Sequence, residues 1–291
     1  MLHLDNAENR RIGIGLVTLT TLCFAVLDTS AKWLVLALPV MQVVWLRFVF
    51  HVLIASALLA PRYGWELLRV RNRKLQALRA AMMAAMTGLN FWALQYLQLA
   101  ETGAIQFSVP LLIALFSAAF LGEKLDARRW AAIVAGFAGV LLIIRPGSAA
   151  FHPAILLSVL NALLYAAFNM LTRRLVATES AASLQLMSAA GAALLLAPWA
   201  LAVWQMPASL GQWGLLALCG LCGGVGHFMV AQAHRYASAA TLGPFLYQQI
   251  IYMTLLGWWV FDQVPSLLVI GGAAVVVLSG LYLLWLEMKG R

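Results

Sequence analysis

Acidic side chains are scarce: ten Asp and Glu in 291 residues, with all charged residues together making up 10% of the chain. Soluble domains carry about 25% charged residues, so a water-facing domain of useful size is excluded. Three cysteines, Cys23, Cys219 and Cys222, cannot form a disulfide framework. The last two form a CxxC, but all three lie in apolar stretches, where a small packed side chain explains them better than metal or redox work. HExxH and GxSxG motifs are missing, and Asp28 is the single carboxylate deep inside an apolar run. Intramembrane chemistry needs a nucleophile with a base, paired carboxylates or a metal, so catalytic residues, metal and cofactor are all expected to be absent and an enzyme is disfavoured. A cleavable signal peptide is not expected either, because the first apolar run, from about Ile12, is too long and leads into another.

What the chain has is apolar length. Hydrophobic residues make up 64% of it and the mean hydropathy is +0.90. Apolar runs fall near 12–36, 40–60, 77–98, 103–121 and 129–144, then near 153–172, 181–204, 213–233, 241–261 and 267–286. A crossing takes about 20 residues, and lipid offers backbone amides no partner, so the expectation is an all-α integral membrane protein of ten transmembrane helices. Pro39, Pro61, Pro146, Pro153, Pro207 and Pro265 fall at or near the breaks, whereas Pro110 and Pro244 fall within spans and mark expected kinks.

Charge orients the spans. With the N-terminus inside, sixteen of the nineteen Lys and Arg fall on cytoplasmic turns, among them Arg62 to Arg79, Lys124 to Arg129, Arg173, Arg174, Arg235, Lys289 and Arg291. A shift by one helix would break that alternation, so both termini are expected to be cytoplasmic. The same scatter over short turns explains the net charge of +9 through topology and anionic lipid, and no nucleic-acid partner is implied.

The segment Ala93-Leu94-Gln95-Tyr96 recurs as Ala233-His234-Arg235-Tyr236, and Gly139 has a counterpart in Gly280, at an offset of about 140 residues. A duplicated unit of five helices places residues 1–147 and 148–291 in opposite orientations, since five is odd. Such an inverted 5+5 repeat is the architecture in which transporters place a midplane site between two rocking halves. At these residues the chain resembles the EamA-type members of the drug/metabolite transporter superfamily. The resemblance runs through Lys32, Arg47 in Leu-Arg-Phe, Ala93 to Tyr96, Pro110, Leu121-Gly122-Glu123-Lys124-Leu125, Gly136, Gly139 and the Asn161 to Arg174 segment. The second half departs from the family pattern at Gln248-Gln249-Ile250 and Phe261-Asp262. Within the superfamily the chain looks most like the bacterial exporters of amino acids and metabolites. This implies alternating-access export of amino acids, aromatic and other neutral ones included, from a bacterial inner membrane. A channel or a non-transporting scaffold is the alternative. A monomer is compatible with the pattern, and the oligomeric state stays open.

Polar side chains inside spans are the candidate site, because a charge at mid-bilayer costs about 2.5–3.5 kcal/mol on insertion scales. Asp28 and Lys32, four apart, are expected to neutralise each other on one face, and Arg47 and His51 form a second such pair, for helix tying or for holding a carboxylate. Asn161, Tyr165 and Asn169 form a stripe on the sixth span. Tyr247, Gln248, Gln249 and Tyr252 form a polar run on the ninth, the preferred place for substrate contact. Asn90, Trp92, Gln95 and His227 complete the set. Trp92 is taken as a cavity aromatic because most other tryptophans sit at helix ends, where a membrane interface accounts for them.

Overall fold

A computed structural model describes residues 7–121, 125–176 and 178–289, so Gly122, Glu123 and Lys124 of the family motif and the terminal Arg291 lie outside the described residues. The described residues are all-helical, without strands. The helices are α1 (Ala7–Val35), α2 (Val40–Tyr63), α3 (Arg73–Tyr96), α4 (Leu99–Gln106), α5 (Val109–Leu121) and α6 (Ala127–Ile144), then α7 (Ile155–Leu175), α8 (Ala181–Ala202), α9 (Leu210–Tyr236), α10 (Ala239–Leu246), α11 (Gln249–Phe261) and α12 (Leu267–Lys289). A short 3-10 turn, Gly64–Leu68, joins α2 to α3.

Local chemistry sets the boundaries. The side chains of Asn72, Asp126, Ser180, Ser209 and Ser238 each accept a bond from the backbone amide three residues on, capping α3, α6, α8, α9 and α10. Gln98 and Glu101 form a reciprocal capping box on α4.

The fourth and ninth spans differ from the sequence expectation in being broken, α4 from α5 and α10 from α11. Pro110 has no amide hydrogen for the carbonyl of Gln106, and the chain bends through Phe107 and Ser108. The second bend occurs at Tyr247 and Gln248 although Ile250 stands where a proline would be, so packing holds it. The Phe107 and Tyr247 rings meet at 5.2 Å between centroids, and Gln248 Nε2 donates to Thr18 Oγ1 at 2.9 Å. Eight stretches are long and apolar enough to cross a membrane on those grounds alone. The α3 helix, which opens with Arg73, Lys74 and Arg79, and the α10–α11 pair complete ten helical columns among the described residues.

Helices α4 and α5 stand 140 positions from α10 and α11, and α6 begins 140 positions before α12. The packing obeys the same two-fold relation. The α1 helix lies along α9, α10 and α11 of the second half, while α7 lies along α3, α4 and α5 of the first, so each half lends its leading helix to the other. Near the axis α6 crosses α12 with backbones almost touching: a Cβ at Gly139 would lie 2.8 Å from the Gly272 carbonyl, and one at Gly272 would lie 2.6 Å from that of Gly139. The glycine that meets Gly139 is therefore Gly272. Gly280, its sequence counterpart, instead makes room for the Tyr247 hydroxyl.

The two ends are unequal. One carries Arg62, Arg69, Arg71, Arg73, Lys74, Arg128, Arg129, Arg174, Arg235 and Lys289 and is the basic end. In the opposite half, Leu34, Val43, Val44, Phe91, Leu94, Leu196 and Leu216 belong to the largest apolar cluster. Toward the basic end the buried apolar residues form small separate groups, such as Ala55, Leu59, Leu67, Ala182 and Leu186, or Val17, Ala233, Ala237 and Leu242.

Candidate functional site

The polar centre lies where α1, α2, α3, α8 and α9 converge. Asp28 on α1 accepts a bond from Asn90 Nδ2 of α3 at 2.9 Å. Arg47 and His51 on α2 are 4% and 0% exposed. The Arg47 guanidinium lies against Gly223 of α9, where a Cβ would come within 2.9 Å of Nη2, and the His51 ring lies against Gly224. His51 Nε2 stands 3.4 Å from Gln185 Nε2 of α8, and His227 packs its ring on Phe24 at 5.0 Å. The α9 glycines are thus small because charged and aromatic groups from α1 and α2 occupy the space a side chain would take.

The expected Asp28–Lys32 pair does not form. Lys32, 3% exposed, donates to the carbonyls of Leu94 at 2.7 Å and Leu97 at 2.6 Å, at the C-terminal end of α3, and faces the Phe261 ring. Those carbonyls have no helical partner and carry the negative end of the α3 dipole, so a buried ammonium is better placed there than beside Asp28. Gln95 Nε2 donates to the Val35 carbonyl at 3.2 Å, a third tie between α1 and α3.

The α7 stripe forms a second group. Asn161 Nδ2 donates to Gln106 Oε1 at 3.1 Å, Asn169 Nδ2 donates to the Tyr165 carbonyl at 2.8 Å, and the Tyr165 ring lies parallel to that of Phe168. Above Phe168 sits Arg79, a residue that charge counting assigns to the cytoplasmic surface but that is 5% exposed here. Its Nε donates to Thr172 Oγ1 at 3.0 Å and its Nη1 to the Leu184 carbonyl at 2.9 Å and to Ser188 Oγ, tying α3 to α7 and α8. The third group surrounds the second bend, with buried Tyr247, Gln248 on Thr18, and Gln249 Nε2 directed at Met253 Sδ. Tyr252 packs at the edge of the large apolar cluster.

Trp92 joins none of these groups. It is 46% exposed and shares a face of α3 with Ala85 and Leu78, seven and fourteen residues earlier, opposite buried Phe91 and Leu94. Sequence reasoning missed Arg79, Gln185 and Thr18. Gln185 and Ser188 are polar interruptions of an apolar span and carry a visible signal. Arg79 does not, because it is close enough to the end of α3 to count as a topology charge.

A duplicated all-helical chain with buried charged groups where its halves meet defines a multi-pass membrane transporter. An EamA-like transporter family model matches residues 11–145 and again 152–286. The chain belongs to that family, within the drug/metabolite transporter superfamily. Curated relatives include an S-adenosylmethionine uptake transporter of Rickettsia bellii, 26% identical over 98% of this chain and 97% of that one. A riboflavin transporter of Vibrio cholerae is 30% identical over 81% and 76%, and the pseudopaline exporter CntI of Pseudomonas aeruginosa is 25% identical over 92% and 94%. A crystal structure 20% identical in sequence superposes with a TM-score of 0.66, covering 98% of this chain and 99% of its own, and shares the fold.

Proposed function

We propose that the chain is a secondary transporter that moves small polar metabolites, amino acids among them, by alternating access across a bacterial inner membrane with both termini in the cytoplasm. Unequal closure of symmetry-related contacts carries this reading. Among the described residues α1 packs on α3 through Lys32, Asp28 and Gln95, whereas the counterpart packing of α7 on α9, toward the basic end, is far slighter. A static scaffold has no use for breaking its own symmetry, and a channel needs both ends open together. One sealed end and one parted end are what a carrier facing the cytoplasm requires, and exchanging the two halves' conformations yields the outward-facing state. The relatives named above are transporters of small molecules, taken up in one case and exported in another. For an uncoupled carrier the solute gradient sets the direction, which is outward for a metabolite that accumulates inside.

Purified protein in liposomes preloaded with unlabelled L-amino acids should accumulate the labelled ones by exchange, saturably and beyond empty vesicles. No exchange across the twenty amino acids would remove them as substrates. No exchange of S-adenosylmethionine or riboflavin either would sink the carrier reading.

A further inference from the structure

Two arginines are buried in the apolar interior, and their surroundings differ. Arg79 has its donors taken up by Thr172, Leu184 and Ser188. Arg47 does not: its Nε and Nη1 are buried with no hydrogen-bond partner, and one turn further on, Nδ1 of His51 is in the same condition. A buried cation is stable only when it is paired and its donors are met, so Arg47 is incomplete in the solute-free protein.

The nearest carboxylate is held off. No direct ion pair forms between Asp28 and Arg47, and one of the Asp28 oxygens is engaged by Asn90. Both residues stand seven positions from the sealed end of their helices, about 10 Å deep at the α-helical rise. Arg47 faces the bare backbone of α9 at Gly223. Two opposite charges at one depth, kept apart and flanked by glycine, suit a third group that bridges them better than they suit each other.

Resting on the carrier reading, we infer that Arg47 and Asp28 are the two charged poles of the substrate site, which takes a zwitterion with a carboxylate and a cationic nitrogen on neighbouring atoms. The carboxylate is accepted by the guanidinium fork of Arg47 in two parallel bonds, and the cationic nitrogen donates to Asp28. Gly223 and Gly224 leave room for this, while apolar walls of α1 and α2 receive the rest of the solute.

The test compares acid with ester. Detergent-purified protein is heated with each of the twenty L-amino acids and with its methyl ester and N-acetyl derivative. Amino acids that exchange in liposomes should raise the Tm, and their esters and N-acetyl forms should bind at least about tenfold more weakly, the loss expected for a charge-assisted pair. Arg47→Gln should remove discrimination against the ester, Arg47→Lys should restore part of it, and Asp28→Asn should relax discrimination against the N-acetyl form alone. Equal binding of acid and ester by the unaltered protein overturns the assignment, and this comparison stands even if Arg47→Gln fails to fold. Undiminished exchange of zwitterionic amino acids by Arg47→Gln also overturns it and leaves the carrier reading intact.

Discussion

At the scale of single residues, buried charge is used in two ways. Lys32 and Arg79 complete the fold: one takes the last carbonyls of α3, the other ties the start of α3 to α7 and α8. A hydrogen bond to a charged group contributes about 1.5–3 kcal/mol, and groups left unmet on removal add a similar penalty. Arg79→Gln is therefore expected to destabilise the protein by about 2–4 kcal/mol, read as a lower Tm in detergent. Arg47→Gln removes a buried charge with two unpartnered nitrogens and should leave the solute-free Tm unchanged or higher. A larger fall for Arg47→Gln than for Arg79→Gln would reverse these roles. The four-residue spacing of Asp28 and Lys32 correctly puts both on one face of α1. It does not reveal that α3 lies against that face and offers each a better partner.

At the scale of elements, helix contacts depend on where backbone must approach backbone. Gly139 and Gly272 face each other's carbonyls, and a methyl group at either must push α6 from α12 because backbone cannot rotate aside. Gly88 has nothing within 4 Å of its would-be Cβ. Gly139→Ala and Gly272→Ala should each lower the yield of monodisperse protein and the Tm, while Gly88→Ala, which gains helix propensity, should not. Gel filtration with thermal unfolding compares them, and equal behaviour of all three would deny the close crossing. The bends in the fourth and ninth columns belong to the same scale. Pro110 announces the first. Pro244 marks the second only nearby, since it lies within α10, and the bend itself is held by the contact of Tyr247 with Phe107 and the bond from Gln248 to Thr18, both reaching into the other half.

At the scale of the whole molecule, the two-fold relation turns one conformation into a statement about the other. Val35 and Gln95 are joined at the sealed end, and their counterparts 140 positions on are Leu175 and Arg235, toward the basic end. In protein with its three native cysteines replaced, a Val35→Cys/Gln95→Cys pair should cross-link readily without solute, and a Leu175→Cys/Arg235→Cys pair poorly. A transported solute that lets the protein turn outward should raise the second and lower the first, read as mobility shifts after mild oxidation. Complete cross-linking of both pairs in the same molecule would rule out the exchange of states.

Hydropathy, the alternation of Lys and Arg, and the recurrence near 140 residues by themselves determined that the chain is a membrane protein made of two related halves. Those features depend on each segment's own contact with lipid or water, or on likeness between segments, and need no knowledge of neighbours. The tertiary structure alone decided which buried charges are partnered, that α1 and α7 exchange places between the halves, that Trp92 faces outward, and that α1 packs more closely on α3 than α7 does on α9. Each of these depends on which side chains from distant segments come within a few ångströms, and the hydrogen bonds available at that range outweigh any preference that spacing along one helix can express.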